Sequence, residues 1–197
     1  AFVLFSGMLK RTAVKLSKIC NDLRLLSSGP RTGINEINLP ARQPGSSIMP
    51  GKVNPVIPEA VNQVAFEIIG NDLALTIAAE GGQLQLNVME PLIAYKIFDS
   101  IRLLQRAMDM LREHCVVGIT ANEAHCRALM ENSIGLITAL NPYIGYENAT
   151  RIAKLALDSG RGVLELVREE NLLDDATLAD ILRPENMIAP RLVPLKA

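Results

Sequence analysis

Apolar residues return along most of this chain at three- and four-residue intervals, the period of a helix with one face turned inward. Phe2, Phe5, Leu9, Leu16, Ile19, Leu23 and Leu26 carry the first such pattern, and Gly29-Pro30 stops it. That helix opens apolar and without a capping residue, so the chain is expected to be a piece of a longer one. From Ser28 to Pro55 neither the helical nor the strand period holds, and five prolines and four glycines punctuate the stretch. A connection this long without regular structure is uncommon unless it binds something.

Two long helices are predicted next. Residues 57 to 79 place Ile57, Val61, Val64, Ile68 and Leu75 on one stripe, and at full length this helix spans roughly 35 Å. Asn71 falls within that stripe and reads as a residue that sets register between helices, with a ligand contact as the weaker alternative. After a turn near Gly81-Gly82, Ile93, Ile97, Ile101, Leu104, Met108, Leu111 and Cys115 carry a second helix from about Glu90. The first of the two also has Ala65, Ile69, Leu73 and Ile77 outside its main stripe. Helices apolar on more than one side belong in a multi-helix bundle, one that other chains would help to cover.

Beyond Gly118 the units shorten. Thr120 or Asn122 can cap a helix through about Asn132, Gly145, Gly160, Gly162 and Pro184 divide the rest of the chain into further short helices, and Asp174 or Asp175 begins the last of them. The predicted architecture is all-α. Residues 1–118 form part of a central bundle carrying the loop 45–55, and residues 119–197 form a small C-terminal helical domain.

Composition narrows the function. Twenty basic and 21 acidic residues leave a net charge of −1, with no basic block or aromatic platform, so nucleic acid is not an expected partner. Aromatic residues make up 4% and Trp is absent, which favours helices over sheet. Cys20, Cys115 and Cys126 are odd in number and lack CxxC spacing, which fits a reducing, cytoplasmic setting. His114-Cys115 and His125-Cys126 lack the usual zinc-ligand spacing, so no metal site is expected. His114 reads as a partner for the C-terminal end of its helix. No apolar run reaches membrane-spanning length.

The densest chemistry lies in GSSIMPGKVNPVIPE, residues 45–59. Gly45, Pro50, Gly51 and Pro55 exclude regular structure there, and Pro58 fits only the first turn of the following helix. Ser46, Ser47, Lys52, Asn54 and Glu59 therefore collect at a helix N-terminus, where free N–H groups and partial positive charge suit an anion such as a carboxylate. The competing reading is a hinge loop whose serines bond their own backbone.

GSSIMPGKVNP resembles the signature of the fumarase/aspartase superfamily of lyases, and LLSSGPRTGINEINLP and GNDLALTIAAEGGQLQLNVMEP extend the resemblance over nearly the whole chain. Pro58 before Glu59, and Met89-Glu90-Pro91, resemble the members that release ammonia more than those that add water. The resemblance implies a homotetramer acting on a small dicarboxylate or amino acid, L-aspartate and fumarate, by anti elimination through an aci-carboxylate, with no cofactor. It implies that Ser46 is the catalytic base, that Ser47 binds substrate, and that Lys52 and Asn54 hold a substrate carboxylate. Glu59 is implied to pair with an active-site His outside this chain, so residues 1–197 alone are expected to be inactive. Two alternatives stay open: a class II fumarate hydratase, and a non-catalytic structural protein descended from the same superfamily.

Overall fold

The computed structural model describes residues 1–45, 48–49 and 51–188. The chain divides into two compact units, Ala1–Asn122 and Glu123–Ala197.

In the first unit the long periodic stretches are helices α1 (Phe2–Leu26), α2 (Val56–Glu80) and α3 (Glu90–His114), each of 25 residues. Small residues bring them close. Ala13 of α1, Ala65 and Ile68 of α2, and Leu104 of α3 form one core layer. Cys20, Val61, Ala107, Leu111 and Cys115 form another, and Leu75, Ala78 and Ile93 a third. Cys20 and Cys115 are therefore apolar packing, and both are free thiols. Burial pushes the Cys20 thiol up to about 11, with the neighbouring Cys115 adding to the shift and Arg24 opposing it.

Polar residues buried between the helices are paired. Asn71, 2% exposed, donates to Ser100 Oγ at 3.2 Å and accepts from Lys96 Nζ at 2.6 Å, joining α2 to α3. Asp72 accepts from Ser6 Oγ at 2.8 Å and from Lys10 Nζ at 2.5 Å, joining α2 to α1. Asn87 Nδ2 donates to Ala78 O at 3.0 Å while its Oδ1 accepts from Met89 N at 2.8 Å, so one amide ends α2 and starts α3.

The long connection holds a feature that periodicity misses. Ile37–Asn38 (β1) pairs antiparallel with Thr120–Ala121 (β2), and Asn122 Nδ2 donates to Asn35 O at 2.8 Å. Two-residue strands are too short to show alternation. His114 stands exposed in the last turn of α3, but the bonds to its terminal carbonyls come from Arg42, whose Nε donates to His114 O at 2.8 Å and Nη2 to Glu113 O at 3.3 Å.

The second unit contains α4 (Glu123–Glu131), α5 (Leu136–Ile144), α6 (Tyr146–Ser159), α7 (Val163–Glu169), α8 (Asp175–Ile181) and α9 (Pro184–Ile188). Its core includes Leu140, Ile152, Leu166, Val167 and Leu178. Gly145 and Gly160 end α5 and α6 at φ of 80° and 70°, a left-handed region that favours glycine. Asp174 caps α8 by accepting from Thr177 N at 2.7 Å, and that N–H holds its carboxyl below the usual range. The helix begun by Asp174 is not the last of the described residues, because α9 comes after it. No described helix is long and apolar enough to cross a membrane.

Candidate active site

The two ends of the loop between residues 44 and 55 are bonded to each other at Gly45. Pro44 and Val53 form an antiparallel bridge, Gly45 N donates to Lys52 O at 2.7 Å, and Asn54 Nδ2 donates to Gly45 O at 3.0 Å. A Cβ on Gly45 would stand 2.8 Å from Lys52 O and 2.9 Å from Asn54 N, so no other residue fits without moving backbone. Gly51 turns the chain at φ 80°. Ser46 and Ser47, which these contacts bracket in sequence, lie outside the described residues.

Past the loop, α2 starts with Pro55 as its N-cap and holds Pro58 in its first turn, as the sequence requires. The helix end offers fewer donors than the sequence suggests. Pro58 has no N–H, and the Val56 N–H donates to Asn54 O at 2.9 Å. An anion here would depend more on side-chain cations and amides than on the helix end.

Lys52, Asn54 and Glu59 line one open cleft of about 760 Å³. The opposite wall comes from the end of α1 and the stretch after it, including Arg24, Ser28 and Asn38. Sequence reasoning did not single out Arg24. Its Nη2 lies 4.0 Å from Glu59 Oε1 and its Nη1 donates to Asn62 Oδ1 at 3.4 Å. A cation in the last turn of a helix, four residues before the Ser28-Gly29-Pro30 stop, was the available signal. Neither of the chain's two histidines lines the cleft. Among the described residues no group of three or more His, Cys, Asp or Glu could hold a metal ion.

These features define an all-α protein whose long-helix bundle carries a solvent-open, mixed-charge cleft behind a glycine-built loop. A family model described as "Lyase" matches residues 1–70, and one described as "Fumarase C C-terminus" matches residues 136–189. Among curated relatives, the aspartate ammonia-lyase of Pseudomonas canavaninivorans is 92% identical over 197 residues, covering 100% of this chain and 42% of its own length. That of Helicobacter pylori strain 26695 is 64% identical over 190 residues, 96% of this chain and 41% of its own. A solved fumarate lyase:delta crystallin of Brucella melitensis bound to cobalt superposes with a TM-score of 0.90 at 62% identity, covering 96% of this chain and 41% of that one. A class II fumarase of Schistosoma mansoni does so at 0.83 and 38% identity, covering 94% and 39%. The chain belongs to the fumarase/aspartase superfamily of lyases, and it spans about two fifths of the length of the curated relatives it matches.

Proposed function

We propose that this chain is the loop-bearing part of an enzyme that converts L-aspartate reversibly to fumarate and ammonia. The observation that carries the reading is the 92% identity over the whole chain to an aspartate ammonia-lyase. The cleft adds physical support. Removing a proton beside a carboxylate drives a second negative charge onto that group, so a cation and N–H donors have to stand where the charge grows. Lys52 and Asn54 have that chemistry and line one cleft with Glu59.

In this reading Ser46, as its alkoxide, takes a proton from the substrate carbon next to the side-chain carboxylate. The freed electron pair moves into that carboxylate, giving an aci-carboxylate dianion held by Lys52, Asn54 and Ser47. The pair then returns to form the double bond as ammonia leaves the neighbouring carbon. Serine is a weak base, so the reaction relies on the electropositive loop to stabilise its alkoxide. Glu59 serves a histidine that neither His114 nor His125 supplies. The working protein is a homotetramer, a reading supported by the large apolar side chains on the outside of α1 to α3.

The test is absorbance at the fumarate band with the full-length protein and with residues 1–197 alone. Fumarate is expected from aspartate and not from malate, and only with the full-length protein. Turnover of malate alone would establish the class II fumarase reading, which the 38% identical Schistosoma mansoni structure keeps in view. A folded full-length protein inert toward both would favour a non-catalytic structural descendant.

A further inference from the structure

We propose that Arg24 is a positioning residue for Glu59, held in place by the buried amide of Asn62; this rests on the reading of Glu59 as a working carboxylate of the proposed lyase. Glu59 and Asn62 lie three residues apart on α2 and so face the same way. Arg24, in the last turn of α1, meets both from across the helix pair. One terminal nitrogen of its guanidinium points to Glu59 Oε1 at 4.0 Å and the other to Asn62 Oδ1 at 3.4 Å. The planar fork lets one cation address two acceptors at once, which a lysine ammonium on a flexible stem does less well.

Asn62 is the fixed point of this arrangement. It is 3% exposed, and its Nδ2 faces Ser17 O at 3.1 Å, Ser17 Oγ at 2.9 Å and Asn21 Oδ1 at 3.1 Å. With those three acceptors on the nitrogen side, the amide oxygen is committed to the side of Arg24. The Arg24 side chain is 43% exposed and Glu59 36%, so the pair stands at the cleft wall, open to solvent, and among the described residues the Asn62 amide is what fixes the direction of Arg24 from the protein side. The α1 helix end, where a cation is favoured, places Arg24 there. The carboxylate is thereby aimed, with Oε1 toward the guanidinium and the other oxygen left for the histidine that the reading assigns to it.

The experiment is a double-mutant cycle in the full-length protein, assayed with aspartate and with malate, with thermal melting as a folding control. Arg24→Met is expected to lower kcat by on the order of 10- to 100-fold with KM little changed, as a misaimed catalytic group does. Arg24→Lys is expected to recover part of that loss. In a Glu59→Gln background the same Arg24→Met change is expected to cost less than about twofold, because residues that act as a unit are non-additive. Equal losses in both backgrounds would overturn the proposal and make Arg24 a structural residue. A rise in KM with kcat kept would overturn it too, by making Arg24 a substrate ligand. If only malate is turned over, the proposed substrate fails, yet the cycle on malate still decides the role of Arg24.

Discussion

Gly45 shows how much of this molecule turns on single atoms. Its missing Cβ lets the backbone of Lys52 and Asn54 pass within 3 Å of where that carbon would be, and the resulting hydrogen bonds carry Lys52 and Asn54 to the cleft. Gly45→Ala would push against backbone, which cannot swing away as a side chain can. The fold would tolerate the change, since the described residues of the loop are exposed or half-buried and none is a buried core residue. Catalysis would not: a shift of about 1 Å in positioning groups costs on the order of 10² in kcat/KM. Steady-state kinetics and a melting curve of the full-length variant should show that split, and wild-type kcat/KM would mean that the close approach does not position Lys52 and Asn54. Gly45 was legible in the sequence as a breaker of regular structure. That it is the point of closest backbone approach was not, because nothing in a glycine says which segment will pass it.

At the scale of elements the sequence spoke clearly wherever period and length agreed. The predicted 57–79 helix is α2, Val56–Glu80, and the predicted helix from Glu90 to Cys115 is α3, Glu90–His114. Asn71 sits between α2 and α3 with its amide satisfied by Ser100 and Lys96, the position expected of a residue that sets register. A buried amide left without partners would cost about 1–3 kcal/mol, so slipping α2 against α3 is penalised beyond the loss of packing. Asp72 and Asn62 tie α2 to α1 in the same way and were not legible, since a polar residue beside an apolar stripe looks solvent-facing until the neighbouring helix is known. The β1–β2 pair was illegible for another reason: its partners are separated by most of the first unit, and each is two residues long.

The whole molecule adds surfaces to these elements. In the first unit Leu4, Phe66 and Phe98 are 75%, 59% and 69% exposed on α1, α2 and α3, more large apolar surface than single helices of a monomer usually show. We therefore expect residues 1–197 to self-associate; light scattering that finds a stable, non-aggregating monomer at micromolar concentration would contradict this. The division between Asn122 and Glu123 accompanies a change from 25-residue helices to helices of 5 to 14 residues. We read the second unit as the small C-terminal domain proposed from residue 119 onward.

In the proposed enzyme the loop 45–55 performs chemistry on a substrate, with Ser46 taking the proton, and is more than a turn joining two helices. Ser46→Ala in the full-length protein separates the two most directly. A turn hydroxyl contributes little, and alanine is accepted in most loop conformations. A base, in contrast, is lost outright while Lys52 and Asn54 still hold the substrate. If Ser46 is the base, the variant is a folded tetramer whose kcat on aspartate falls by on the order of 10² to 10⁴, with KM changed far less. A folded, tetrameric Ser46→Ala enzyme within a few-fold of wild-type kcat would contradict it.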